Sequence, residues 1–371
     1  MTSPALTTHF VPRWPTNPYH DQLARHLGDF QVGVQEESQL KAIARQARRS
    51  SQPPTILHLH AVPAFSLRPR EVTQLVLFYF RLRWLQRVGT RIVWTVHDIS
   101  HHETSYPRAE RFVARQFHRL VDALIVHSAA AQTTMEEQWG VRRRDRTFIV
   151  PHAHFIGCYP DRISRRSARA QLGLPDDALT FVFFGNIRPY KGVVQLVREF
   201  RSLACSSARL VIAGETLNAT LTGEIDSAIG GSSHILFHNR FIPDEAVQNY
   251  LNAADVVVFP YTKALTSGAL ILAMSFGKAC IAPRLGAITD TLDPQGGFLY
   301  DPADPAGLKT ALAHAVHARQ QLSRMGEFNR RAAESWSWHD AARLTNSVYR
   351  TALQENVSSD SRSKQLRQLP A

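Results

Sequence analysis

The stretch FFGNIRPYKG, residues 183–192, decides the fold. Residues 180–184 read as a buried strand that runs into a glycine turn at Gly185, and a helix begins near residue 193. Arg188 and Lys191 stand just ahead of that helix. A second stretch, FPYTKALTSGALILAMSFGKACIAP at residues 259–283, repeats the plan: a strand over 256–259, a loop, then Thr266, Ser267 and Gly268 opening an apolar helix. A strand-to-helix turn presents unpaired backbone N–H groups and the positive end of the helix dipole. Two such turns with two fixed cations beside them fit a diphosphate and ask for no metal. Gly185 lets the backbone approach such a ligand closely. Thr266, Ser267, Gly268 and Ala269 are the candidate N–H and hydroxyl donors, and Tyr261 either lines the pocket or packs at the strand end.

Outward from these turns the chain alternates. Strand-like runs at 55–60, 91–97, 123–126, 148–150, 180–184, 209–213, 235–237, 256–259 and 279–282 are separated by helical stretches. That pattern predicts an α/β protein with two Rossmann-like, doubly wound parallel sheets, whose ligands bind beyond the carboxyl ends of strands. A chain of 371 residues holds two domains with a core each. The expected boundaries are a first domain over 1–163, a second over 164–335, a helix over 336–356, and a polar, disordered tail over 357–371.

Composition excludes several classes. Hydrophobic residues make up 44% and charged residues 20%, as in ordinary globular proteins. Cys158, Cys205 and Cys280 give neither a disulfide framework nor zinc spacing, so a reducing, cytoplasmic setting is expected. No signal peptide is visible and no apolar run is long enough to span a bilayer. The formal net charge of +12 comes largely from arginine in the first half. Arg68, Arg70, Arg81, Arg83, Arg87 and Arg91 flank LVLFYF, residues 75–80. A basic, aromatic helix over about residues 71–87 suits an anionic membrane surface. It equally suits a helix packed on its own sheet with solvated arginines outside. No nucleic-acid module accompanies the charge, so no nucleic-acid partner is expected.

The densest polar cluster is WTVHDISHHE, residues 94–103. His97 and Asp98 follow a strand, and a histidine near its ordinary pKa of about 6.5 suits proton abstraction. Glu103 is a rival base. The His97, Asp98, His101, His102 and Glu103 cluster lacks the HExxH pattern and has no second ligand set, so a metal is not expected. His58 and His60 alternate with apolar residues in ILHLH, residues 56–60, and point to one face of a strand. His60, His152 and His154 are candidates for the rim of a ligand groove.

FGNIRPYKG and PYTKALTSGALILAMSFGKACIAP together resemble the donor half of GT-B glycosyltransferases of the family 4 superfamily. TNPYHDQLARHL (16–27), ILHLHAVP (56–63), WTVHDISHHE (94–103) and PHAHF (151–155) are similar to the acceptor half of one subgroup, the bacterial lipid-linked exopolysaccharide β-mannosyltransferases of the xanthan type. The resemblance runs over roughly residues 15–350. It implies two Rossmann-like domains facing a cleft and a C-terminal helix that crosses back to the first. It also implies transfer of a hexose, mannose from GDP-mannose, to a lipid-linked or polysaccharide-precursor acceptor at the inner membrane face. On this reading Arg188 and Lys191 hold the leaving diphosphate, no cofactor is needed beyond the nucleotide-sugar co-substrate, and Asn17 and Tyr19 lie near the acceptor or donor sugar. Many family 4 enzymes carry two glutamates eight positions apart at the second loop. Ala264 and Leu272 occupy that spacing here, which fits the subgroup and leaves ribose recognition to another residue, with Glu215 as the candidate. A retaining transferase using a UDP-sugar, and a non-catalytic GT-B partner subunit, stay open at this point.

Overall fold

The structure, a computed structural model, describes residues 6–14, 18–49, 54–99 and 106–366, with side chains described as far as residue 354. The chain forms two compact units, one of residues 1–152 with 337–371 and one of residues 153–336.

In the first unit the order is β1 (Leu6–Val11), α1 (Pro18–Gly28), β2 (Val32–Gln35), α2 (Leu40–Arg49), β3 (Ile56–Leu59), α3 (Pro69–Arg87), β4 (Arg91–Thr95), α4 (Pro107–Leu120), β5 (Ala123–Val126), α5 (Ala129–Trp139) and β6 (Thr147–Ile149). All six strands are parallel, in the order β2-β1-β3-β4-β5-β6. β3 and β5 are buried on both faces, which is why ILHL and ALIV read as short apolar runs without clean alternation.

The second unit runs α6 (Arg165–Leu172), β7 (Leu179–Phe184), α7 (Val193–Ser202), β8 (Ala208–Ala213), α8 (Ala219–Ile229), β9 (Ile235–His238), α9 (Asp244–Ala253), β10 (Val256–Val258), α10 (Gly268–Ser275), β11 (Ala279–Pro283), α11 (Ile288–Thr291), β12 (Gly297–Tyr300), α12 (Gly307–His317) and α13 (Leu322–Glu334). Its sheet is also all parallel, in the order β12-β11-β10-β7-β8-β9. Side-chain caps start the helices: Ser164 accepts the Ser167 N–H at 3.1 Å, Asn218 the Leu221 N–H at 2.9 Å and Ser267 the Leu270 N–H at 3.2 Å. A buried ion pair ties α6 to the sheet. The fully buried Arg169 guanidinium meets Asp255 at 2.7 Å and donates to the carbonyls of Ala253, Asp176 and Ala178.

The last helix, α14 (Trp338–Leu366), belongs to the first unit, where Tyr349 is buried and its hydroxyl lies 2.7 Å from His58 Nδ1. This return to the first unit was expected; the helix's extent was not. α14 continues to Leu366, through most of the span expected to be a disordered tail.

Two other expectations are corrected. The seam falls after His152, not after residue 163. Segment 153–163 is held inside the second unit, with the Phe155 N–H on Ser275 Oγ at 2.9 Å and Asn252 Nδ2 donating to Asp161 at 2.8 Å. The sequence marks where α6 begins, not which unit binds the extended chain before it. Three strands were also absent from the expected set: β1, β2 and β12. LTTHFV mixes polar with apolar residues, while VGVQ and GFLY are only four residues each.

Candidate functional site

In the second unit the strand order reverses between β7 and β10, which are hydrogen-bonded neighbours. An open parallel sheet places its ligand beyond the carboxyl ends of the strands at such a reversal. The two loops leaving that point, 185–192 and 259–267, are the two singled out from the sequence. Gly185 has φ +116°, a conformation closed to most side chains. Arg188 follows in extended backbone, its guanidinium donating to the Ile187 carbonyl at 3.0 Å. Lys191 ends a single 3₁₀ turn (Pro189–Lys191), and its Nζ stands 5.6 Å from the centre of the buried Tyr261 ring. Burial raises the Tyr261 phenol's pKa, and its side chain hydrogen-bonds with Ser267.

These loops are knitted together. Thr262 donates its N–H at 2.8 Å and its hydroxyl at 3.1 Å to the Tyr190 carbonyl. Ile187 donates its N–H to the Glu215 carbonyl at 2.8 Å and bridges to Thr216, so the loop after β8 joins the same group. Glu215 is exposed and reaches the site through its backbone, bonded to Ile187, the residue before Arg188. Ser267 caps α10, which is apolar up to its last residue, Ser275, and buried over residues 270–275, and its first-turn residues Gly268 and Ala269 remain half-exposed. Thr266 is half-exposed beside them. The second unit therefore offers two guanidinium or ammonium groups, a helix N-terminus and a left-handed glycine turn around one reversal point, the donor set a diphosphate needs.

In the first unit the strand order reverses between β1 and β3. A cavity of about 260 Å³ opens there, lined by Trp14, His60, Phe65, Trp94, His97 and Asp98 among others. Histidines follow four neighbouring strands: His60 after β3, His97 after β4, His127 after β5 and His152 after β6. Their rings succeed one another at centroid distances of 5.6, 5.2 and 5.2 Å. Tyr19, on α1, packs against them, 5.2 Å from His97 and 4.9 Å from His152. Trp338, at the start of α14, lies 5.3 Å from Tyr19.

His97 differs from what was expected. Burial and the neighbouring histidines hold its pKa well below the usual value, because each charged ring would repel the next. Its Nε2 lies 3.2 Å from His60 Nδ1 and its Nδ1 lies 3.4 Å from His127 Nε2. A histidine poised near pKa 6.5 is therefore not present at this position. Asp98 is exposed at the cavity. His154 is corrected as well. It sits in the second unit, its N–H on the Trp336 carbonyl and its Nδ1 taking the Ile156 N–H at 3.2 Å. Asn17, His102 and Glu103 lie outside the described residues. Among the described residues, no group of three or more histidine, cysteine, aspartate or glutamate side chains is placed to hold a metal ion.

Sequence reasoning missed His127 and His20. His20 is fully buried on α1, takes the Trp14 N–H at 3.0 Å on Nδ1, and lies 4.3 Å from His60 ring to ring. A signal for His127 was present: LHLH, WTVH and LIVH each end an apolar run in histidine.

Two Rossmann-like units of parallel strands make up the fold that GT-B glycosyltransferases share. Residues 178–318 match the family described as Glycosyl transferases group 1. Over 362 residues the chain is 26% identical to a GDP-mannose:glycolipid 4-beta-D-mannosyltransferase of Xanthomonas campestris pv. campestris, covering 95% of this chain and 93% of that one. It is 27% identical over 292 residues to a D-inositol 3-phosphate glycosyltransferase of Streptomyces avermitilis, covering 73% of this chain and 63% of that one. In fold it is similar to the sucrose-phosphate synthase of Thermosynechococcus elongatus, with a TM-score of 0.74, 17% identity, and coverage of 94% of this chain and 100% of that one.

Proposed function

We propose that this glycosyltransferase moves mannose from GDP-mannose to a lipid-linked glycan acceptor. The observation that carries the reading is the pairing of Arg188 and Lys191 with the Ser267-capped start of α10 at the strand reversal of the second unit. As the C1–oxygen bond of the donor breaks, negative charge gathers on the diphosphate. Arg188, Lys191 and the Gly268 and Ala269 N–H groups meet that charge. Preorganised donors of this kind lower a barrier by about 3–4 kcal/mol each. These cations take the role that a divalent ion plays elsewhere, so activity persists in EDTA.

The choice of mannose and GDP rests on the likeness over nearly the whole length to the Xanthomonas protein, whose name states that donor. Ala264 and Leu272, in place of two acidic residues, agree with that subgroup. A lipid-linked acceptor is supported by the first unit's surface. α2 and α3 form a groove lined by Lys41, Arg45, Arg48 and Arg81 beside Leu77 and Phe80, and Phe80 is 63% exposed. Basic side chains ringing exposed apolar ones suit an anionic bilayer surface. Among the described residues no helix is long and apolar enough to cross a membrane.

The test is transfer. Purified protein is incubated with labelled GDP-mannose, UDP-glucose or ADP-glucose and a bacterial lipid-linked oligosaccharide fraction, and the lipid phase is read by mass. A gain of one hexose from GDP-mannose alone is expected. Transfer only from a UDP-sugar would overturn the donor assignment.

A further inference from the structure

Helix α3 turns much of its apolar surface outward. Of its 19 residues only Leu75, Leu82 and Leu85 are buried, while Val76, Leu77 and Phe80 are exposed. Val76 and Leu77 lie four and three positions before Phe80, so the three side chains form one patch. Beside that patch runs the groove between α2 and α3, about 510 Å³ in volume. Lys41, Arg45 and Arg48 line it from α2, and Leu77, Phe80 and Arg81 from α3. α2 carries no acidic residue, and the one acid of α3, Glu71, pairs with Arg68 at 3.3 Å. Among the described residues none of the four groove cations is engaged in an ion pair or hydrogen bond. Arg48 is held instead by an aromatic face, its guanidinium 5.0 Å from the centre of the Trp84 ring. Like charges lining one groove repel one another, and an anion seated among them removes that repulsion. The groove shares no lining residue with the cavity beyond β3 and β4.

We propose that the α2–α3 groove is a discrete binding site for the phosphate head of an anionic membrane lipid, a lipid that is bound and not consumed. Arg45, Arg48 and Arg81 take the phosphate oxygens, which a planar guanidinium fork matches better than an ammonium does. Lys41 adds charge at the end of the groove. Val76, Leu77 and Phe80 enter the acyl layer beside that head, which withdraws from water the apolar surface that α3 leaves exposed. The pairing of cations with exposed aliphatic and aromatic side chains selects the ligand. A free phosphate offers nothing to Phe80, and a nucleic acid duplex offers a row of phosphates with no apolar layer behind it. The inference goes beyond the transfer reaction and does not depend on the sugar moved, because neither helix carries a residue of the two donor loops.

Vesicle flotation with the intact protein tests this, at about 0.15 M salt, where attraction between exposed charges is screened beyond about 8 Å. Binding is expected to phosphatidylcholine vesicles containing about one third phosphatidylglycerol, and not to phosphatidylcholine alone. The triple variant Arg45→Gln, Arg48→Gln, Arg81→Gln is compared with Arg70→Gln, Arg83→Gln, Arg87→Gln, which removes the same charge from exposed positions of α3 outside the groove. The groove triple is expected to bind about tenfold or more below the other. Phe80→Ser keeps every charge and is expected to lose about tenfold. These side chains lie at the surface, so their replacement leaves the melting curve in place. Equal loss in the two triples would mean a diffuse basic surface and would overturn the site. So would equal binding to phosphatidylcholine alone, full binding by Phe80→Ser, displacement of the vesicles by soluble glycerol phosphate at the same phosphate concentration, or equally tight binding of a short DNA duplex. If no sugar moves from GDP-mannose while the vesicle results are as expected, the donor reading fails and the lipid site stands.

Discussion

Gly192 packs so closely on Pro260 that a Cβ added to it would stand 2.0 Å from the Pro260 carbonyl oxygen. Its φ is +66°, so both the space and the backbone exclude a side chain. This contact holds the loop after β7 against the loop after β10, with Lys191 next to Gly192 and Tyr261 next to Pro260. Gly192→Ala should therefore separate the two loops that carry the diphosphate donors. We expect donor KM to rise at least tenfold and Tm to fall by several degrees, a destabilisation of about 1–3 kcal/mol. Unchanged donor KM would show that the loops do not act together.

Arg188 and Lys191 are half-exposed and are not part of the core. Their replacement by alanine should leave the melting temperature within a degree or two of the parent. Turnover should fall by about 10²–10³ for each, as for loss of one oxyanion donor. Steady-state kinetics beside a thermal melt separates the two effects, and full turnover in either variant would refute the diphosphate role.

The buried Arg169–Asp255 pair gives a stability prediction. Arg169 is fully buried and Asp255 also accepts the Thr180 N–H at 2.8 Å and pairs with Arg165 at 2.8 Å. Removing one partner strands a buried charge. Arg169→Leu should cost about 3–5 kcal/mol, measured by urea denaturation. A cost below about 1 kcal/mol would mean that Asp255 finds sufficient compensation from Arg165 and Thr180.

The first unit should be acid-labile. Burial pushes His20 and His127 down to about 4 and His58 to about 3, and adjacent histidines add to the effect on His58. In the unfolded chain these groups titrate near 6.5. Between pH 6.5 and about 4 the unfolded chain binds more protons than the folded one, so stability is full above pH 6.5 and falls as pH drops through that window. Each such ring contributes a slope of about 1.4 kcal/mol per pH unit. Chemical denaturation at pH 7.5, 6.0 and 5.0 should show a steep decline. Equal stability at all three values would mean that the histidines are not held neutral by the fold.

The two loops of the second unit were legible in the sequence because their signals are local. A strand end, a glycine turn and two cations can be read from FFGNIRPYKG alone, and the serine cap of α10 from TSGAL. The histidine row of the first unit is assembled from strand ends far apart in the chain. His60, His97, His127 and His152 become neighbours only through the order β3-β4-β5-β6, which sequence does not give. His127 therefore passed as a lone histidine, and His97 was credited with an ordinary pKa that burial, and then its neighbours, remove. His154 was grouped with His152 by proximity in PHAHF, yet the chain changes units between His152 and Ala153.

The most direct test of the central claim is calorimetric titration of the purified protein with GDP, with UDP as comparison and Arg188→Ala as control. The expected result is a single site for GDP, at least tenfold weaker for UDP, and lost or weakened by at least tenfold in Arg188→Ala. Binding of UDP in preference to GDP would contradict the donor assignment. Equal GDP binding by the Arg188→Ala protein, or none by the parent, would contradict the placing of the diphosphate at the strand reversal of the second unit.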